Sequence, residues 1–350
     1  MLERAPMNDR ATAETDYVRL DGVSKRFVSR MSAVEAGLAR LGMNYHDTVV
    51  HAVSDVTLSV PRATVLGLVG ESGCGKSTLG RIAAGLLAPS AGAVHMAGAR
   101  IDRHGTTCDT RTLLKAQMVF QNPMASLNPR QKVSDIITEG PLAHGLIRGR
   151  ERCDFAAERL AEVGLSVDAM DRLPHQFSGG QRQRIGIARA LSVSPDFLVC
   201  DEPVAALDVS IQAQIINLLI ALQESRGLTI LFISHDLGVV KHLCDRIAVM
   251  YLGKIVEEAD AAELFAEPAH PYTQALLNEM PSVKSGRRAY QPVEGEIPSP
   301  LNPPSGCHFH PRCPSVSARC RAEVPPLFAR PGNATSRCWL CEGQGAGAAG

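Results

Sequence analysis

Residues 64–70, TVLGLVG, run almost wholly apolar into a glycine, and the chain then reads ESGCGKS before a helical pattern opens at Lys76. A short apolar strand that feeds a glycine-rich turn and then a helix belongs in a parallel sheet covered on both faces. The turn, residues 70–77, fits G-x-x-x-x-G-K-[ST] in the strand-to-helix setting that this pattern requires. Each residue type has a task. The glycines let backbone N–H groups curl around phosphate oxygens, and the helix that follows points its positive end at them. Lys76 adds a cation for the β- and γ-phosphates, and Ser77 offers a hydroxyl to Mg²⁺. The expected ligand contacts run through Gly70, Glu71, Ser72, Gly73, Cys74, Gly75, Lys76, Ser77 and Thr78, with Cys74 present only as a small side chain.

The rest of the chain supports an α/β reading. Residues 17–27 and 53–60 have strand patterns, and residues 197–200 and 229–233 are further buried-strand candidates. Helical patterns cover 76–87, 181–192, 209–226 and 238–244, with Gly227 as a C-terminal stop. Residues 123 to about 176 are helix-rich and read as an inserted subdomain; residues 28–51 give no clear pattern. From about 261 prolines multiply, which suggests a second, irregular module at 261–341. Residues 1–16 and 342–350 are expected to be disordered.

FLVCDE at 197–202 ends a buried strand in two carboxylates. Asp201 is placed to hold Mg²⁺ and Glu202 to act as general base on the attacking water. FSGGQ at 177–181 opens another helix, so Ser178, Gly179, Gly180 and Gln181 form a second anion-binding helix start. One nucleotide hardly needs two such starts from one chain. A dimer in which each FSGGQ closes over the partner's nucleotide satisfies both.

The order GESGCGKST, FQNP, FSGGQRQRIGIARAL, LVCDEP, LD, ISHD resembles an ABC-type ATPase over about residues 17–258. The resemblance implies a P-loop NTPase fold of ABC type: a mostly parallel sheet, an antiparallel β subdomain and an inserted helical subdomain. It also implies roles. Phe27 stacks on adenine, although as a residue it also suits a core. Gln121 senses the γ-phosphate and Mg²⁺. Asp208 lies in the loop joining the two sites, and His235 contacts the γ-phosphate. The family often has Ser where this chain has Ala205, so a hydroxyl that crosses the dimer is missing.

HPYTQALL at 270–277 and GCHFHPRCP at 306–314 resemble the C-terminal extension of oligopeptide and dipeptide importer ATPases, and the loop wording together with SLNPR resembles the second of their two ATPase subunits. The resemblance implies a partner ATPase subunit or a homodimer, two transmembrane permease subunits, a solute-binding protein, and a peripheral place on the cytoplasmic face of the bacterial inner membrane. Cys307, Cys313, Cys320 and Cys338 match a pattern that holds a 4Fe–4S cluster in some members, with Cys341 as a substitute for Cys338. Read as residues alone, four thiols also admit zinc, for which these four lack paired C-x₂-C spacing, or unmetallated thiols. His308 and His310 read as surface residues, and His270 and Tyr272 as packing against the ATPase.

Composition excludes some alternatives. With 36 Lys and Arg against 36 Asp and Glu the net charge is zero, which gives no footprint for nucleic acid. No apolar run reaches the length of a membrane span, and residues 1–16 lack the apolar stretch of a secretory signal. Two other classes are a non-transport ABC ATPase and an iron–sulfur redox sensor with a vestigial ATPase. The first meets only one motif set and about 100 residues between the phosphate loop and FSGGQ; the second meets a complete catalytic set.

Overall fold

The computed structural model describes residues 16–29, 47–102, 110–280 and 295–344. In chain order the strands and helices are β1 (Asp16–Ser29), β2 (Thr48–Pro61), β3 (Val65–Val69), α1 (Lys76–Ala83), β4 (Ala91–Met96), β5 (Ala99–Arg100), α2 (Thr110–Leu114), β6 (Ala116–Val119), α3 (Pro123–Ser126), α4 (Val133–Ala143) and α5 (Arg152–Glu162). They continue with α6 (Gly179–Leu191), β7 (Phe197–Asp201), α7 (Val209–Arg226), β8 (Thr229–Ser234), α8 (Leu237–Leu243), β9 (Arg246–Tyr251), β10 (Lys254–Asp260), α9 (Ala261–Ala266), α10 (Pro271–Asn278), α11 (Ala318–Ala322), β11 (Phe328–Ala329) and β12 (Thr335–Ser336).

Two sheets organise the chain. A four-stranded antiparallel sheet has the order β2-β1-β4-β5, and an eight-stranded sheet has the order β11-β12-β10-β9-β3-β8-β7-β6. From β9 through β3, β8 and β7 to β6 all pairings are parallel; β10, β12 and β11 extend the sheet in antiparallel register. The parallel strands are buried on both faces, and their alternation assigns each face a core. Leu66, Leu68, Val199, Leu231 and Ile233 pack toward α1 and the antiparallel sheet. Leu198, Cys200, Ile230 and Phe232 pack toward the α6–α8 side. Gly67 is small because a Cβ there would lie 2.7 Å from Val240 Cγ1, so α8 sits directly on β3.

Several boundaries differ from the sequence reading. The first helix ends at Ala83 instead of 87, because Gly85 turns left-handed at φ 70 and the N–H groups of Leu86 and Leu87 fold back to the Arg81 carbonyl. Gly227, at φ 64, stops α7 as expected. Asp16 is already in β1, and Glu342 is held by Arg319 at 2.7 Å, so ordered structure reaches past both expected borders. Residues 1–15 and 345–350, most of the unassigned 28–51 stretch and 281–294 lie outside the described residues. The described residues beyond 260 pack on the ATPase body: β12 pairs with β10 through Glu257 and Glu258, and β11 pairs with β12.

Candidate active site and the segment that braces it

The order β3-β8-β7-β6 brings the C-terminal ends of four parallel strands into one row, and the loops leaving them carry the candidate chemistry. After β3 the phosphate loop passes so close to neighbouring backbone that side chains cannot fit. A Cβ on Gly70 would lie 2.1 Å from the Met250 carbonyl oxygen, and one on Gly75, at φ 110, would lie 2.1 Å from that of Ala52. Lys76 is buried at the start of α1, and its Nζ donates to the carbonyls of Gly70 at 2.6 Å and Glu71 at 2.9 Å. Ser77 Oγ donates to Asp201 Oδ1 at 2.8 Å, joining the two residues expected at Mg²⁺. Burial pushes the Asp201 carboxyl up, and the Ser77 hydrogen bond offsets this only in part.

Glu202 follows β7 with φ 46, a conformation L residues seldom adopt, and its N–H is tied to the Ile233 carbonyl at 3.0 Å. The turn delivers its carboxylate between two partners. Gln121 Nε2, after β6, donates to Oε2 at 2.8 Å, and His235 Nδ1, after β8, lies 3.3 Å from Oε1. Gln121, Glu202 and His235 thus form one triangle across three strand ends. A cleft of about 340 Å³ joins Lys76, Ser77, Thr78, Gln121 and Glu202 to Phe27, Val50 and Ala52. Phe27 is 43% exposed with Lys25 Nζ 5.3 Å from its ring centroid, so it belongs to the cleft wall and not to the core.

Other expected contacts lie elsewhere. Glu71 donates its N–H to Tyr272 Oη at 2.9 Å, and Cys74 is buried beneath the loop. Ser178 caps α6: its Oγ accepts from Gln181 N at 3.3 Å, while Gln181 Oε1 accepts from Ser178 N at 3.0 Å. Gly180 meets α7, where a Cβ would lie 2.4 Å from Ile211 Cγ2. Within this chain, the residues of 178–181 are not in the phosphate-loop cleft. Gly179 lines a separate cleft with Gln121, Pro203 and Leu207. Asp208 N-caps α7 without a side-chain cap bond, and Ala205 is exposed beside it.

Sequence reasoning missed how the C-terminal segment reaches the phosphate loop. Arg312 forks onto Glu71, and Pro300 lines the nucleotide-sized cleft, its carbonyl accepting from His51 N at 3.0 Å. A lone arginine in HPRC carries no sequence signal for a partner 241 residues away. Tyr251, Tyr272 and Phe309 pack as an aromatic cluster with centroids 4.7 to 5.3 Å apart. Glu257, buried at the base of this contact, accepts from the N–H groups of Ala269 at 2.7 Å and His270 at 2.9 Å. His270 and Tyr272 do pack against the ATPase body. His308 and His310 are half-buried and not surface residues: each Nδ1 lies 3.0 Å from a carbonyl oxygen, that of Leu252 and that of Cys307, and burial pushes His308 down to about 4.

Cys307, Cys313, Cys320 and Cys338 line one cleft of about 210 Å³. Two buried N–H groups of the same cleft, His270 Nε2 and Trp339 Nε1, have no hydrogen-bond partner among the described residues. His270 Nδ1 accepts from Tyr272 N, which leaves the ring proton on Nε2. Four thiols with two unsatisfied donors around one cavity suit a sulfur-rich guest. Among the described residues no three His, Cys, Asp or Glu side chains come together as they would around a metal ion. Cys341, outside the four, is hydrogen-bonded to Cys338, which lowers Cys341 and raises Cys338.

The fold agrees with what this chain is similar to. The family profile for ABC transporters matches residues 53–205, and that for the C-terminal region of oligopeptide/dipeptide transporters matches residues 256–320. A probable peptide ABC transporter ATP-binding protein of Sinorhizobium fredii is 50% identical over 291 residues, 83% of this chain and 82% of its own. The chain belongs to the ABC transporter ATP-binding proteins. A putative peptide import ATP-binding protein of Brucella ovis is 45% identical over 322 residues, covering 91% of this ATPase and 96% of itself. The oligopeptide transport ATP-binding protein AppF of Bacillus subtilis is 50% identical over 280 residues, covering 79% and 85%. Among solved structures, a dimeric ATP-binding cassette in a post-hydrolysis state bound to ADP and Pi matches with a TM-score of 0.57 and 28% identity, over 70% of this chain and 98% of that one. The expected ABC-type α/β fold is therefore present. Among the described residues of this ATPase, no helix is long and apolar enough to cross a membrane.

Proposed function

We propose that this ATPase energises an importer for peptides or similar small solutes, working from the cytoplasmic face of the bacterial cell membrane beside two permease subunits fed by a solute-binding protein. The observation that carries the reading is the second family match, residues 256–320, together with relatives at 45–50% identity that are named for peptide transport or import.

In this reading Mg-ATP lies in the cleft of residues 70–78, with Lys76 and loop amides on the phosphates, Ser77, Asp201 and Gln121 around Mg²⁺, and Phe27 against the base. Glu202 polarises the attacking water, and Gln121 and His235 hold its carboxylate in line. A second copy or a second ATPase subunit brings its own Ser178–Gln181 cap over the γ-phosphate; the dimeric form of the ADP-bound cassette supports that arrangement. Asp208 lies in the loop between the two sites. Closure of the dimer on ATP and reopening after hydrolysis would drive the permeases, which would dock a short helix beside the Gln121 segment and the inserted helices. Cys307, Cys313, Cys320 and Cys338 would hold a 4Fe–4S cluster, which supplies a covalent clip for an otherwise irregular segment.

The test is ATP-dependent uptake of labelled di- and oligopeptides into right-side-out membrane vesicles loaded with ATP, which contain this chain with candidate permease subunits and receive the solute-binding protein from outside. Uptake that stops with Glu202→Gln supports the proposal. Full ATPase activity with no permease stimulation and no peptide uptake would reject it.

A further inference from the structure

The phosphate loop of this protein is held from outside itself. Arg312, whose side chain is only 4% exposed, donates through Nη1 to Glu71 Oε2 at 2.8 Å and through Nη2 to Glu71 Oε1 at 2.9 Å. Two parallel bonds between a planar guanidinium and a carboxylate fix orientation as well as distance. The N–H of the same Glu71 is fixed by Tyr272 Oη. Side chain and main chain of the second loop residue are therefore both held by residues beyond position 270. On the other side of that residue, the Glu71 carbonyl accepts from Lys76 Nζ. The brace and the phosphate-binding cation meet at one residue.

Charge makes the arrangement consequential. Glu71 is an anion inside a loop built to receive a polyanion. Without a counter-charge it would compete for Lys76 and repel the incoming phosphates.

We propose that Arg312 is a positioning residue of the nucleotide site: it neutralises Glu71 and clamps the loop so that Lys76 and the loop amides face the phosphates. The proposal rests on the reading that residues 70–78 bind the nucleotide, and it makes the C-terminal segment part of the ATP site. Arg312 touches no substrate. Its effect should therefore appear in nucleotide affinity more than in the chemical step.

The test is titration of the full-length chain with Mg-ATP, with thermal melting alongside and steady-state hydrolysis for the assembled transporter. Arg312→Met should weaken ATP binding about tenfold, the scale of one uncompensated charge beside a phosphate site, and should raise KM by more than it lowers kcat. Adding Glu71→Gln to Arg312→Met removes the bare carboxylate and should recover most of the lost affinity; a merely structural loss would not be recovered by a second change. Arg312→Met binding within twofold of wild type, or a double variant as weak as the single one, would overturn the proposal. Where Arg312→Met shows no melting transition, the double variant alone decides, and it must bind within about threefold of wild type, the fraction of a tenfold loss that survives charge removal. Lys76→Ala separates the two levels. If it binds ATP normally, the nucleotide-site reading itself fails; if it binds weakly while Arg312→Met binds normally, only the brace fails.

Discussion

Glu202→Gln should leave the protein folded and able to bind ATP, and should stop it at the hydrolysis step. The geometry gives the reason for each part. The carboxylate uses one oxygen to accept from Gln121 Nε2 at 2.8 Å and sets the other 3.3 Å from His235 Nδ1. A glutamine of the same shape keeps an acceptor for Gln121 and turns its amide toward His235, so the triangle survives. It keeps the backbone strain of φ 46 unchanged, because both residues have the same branching at Cβ. What disappears is the ability to take a proton from water. A positioned general base contributes about 10²–10⁴-fold, so turnover should fall by that factor, equivalent to roughly 2.7–5.5 kcal/mol of barrier at 1.36 kcal/mol per decade. Phosphate release by the assembled complex measures the rate, and size-exclusion with Mg-ATP should show the variant held as a dimer. A variant that turns over within about fivefold of wild type, well under the smallest effect of losing a base, would remove Glu202 from this role.

Further outcomes follow from other contacts. Gly75→Ala puts a Cβ 2.1 Å from a fixed backbone oxygen at a φ of 110, so it should abolish nucleotide binding and lower the melting temperature, whereas a normal ATP titration would contradict the loop geometry. Burial pushes Glu258 above its ordinary value, more strongly than Arg246 at 3.0 Å pulls it down. A raised carboxylate stabilises the fold fully below about 4.5 and loses that contribution as pH climbs through the folded value. Glu258→Gln should therefore lose less stability than wild type between acidic and neutral pH, and equal shifts in urea midpoint would refute this. Anaerobically purified protein should be brown with broad visible absorbance and contain iron; serine at Cys307 and Cys313 should bleach it, and a colourless iron-free preparation would reject the cluster.

Much of the candidate site is legible in the sequence because its residues are adjacent in the chain and their chemistry is local. The glycines of 70–75, Lys76 and Ser77 announce themselves by spacing, and the FLVCDE strand shows its buried face and its acidic tip together. Gly227 ended α7 where a left-handed stop was expected, but Gly85 was overlooked because apolar residues continue through Leu87, and a periodic pattern masks a stop placed inside it. Contacts between distant segments left no trace in the pattern. Glu71 looked like a loop residue facing ligand, yet its partners are Tyr272 and Arg312. The two histidines near Cys307 read as superficial because polar residues in a proline-rich stretch usually are; His308 instead reaches the β9–β10 turn at the Leu252 carbonyl, and His310 turns back on the Cys307 carbonyl.

The pairing of β12 with β10 has an evolutionary and practical consequence. A strand bordering a sheet leaves a row of amide and carbonyl groups open to any passing chain, and here β12 pairs with part of that row, at Glu257 and Glu258. Cutting this protein at 260 would not yield a smaller motor. It would uncover that part of the β10 edge and, in the same stroke, take Tyr272 and Arg312 away from Glu71.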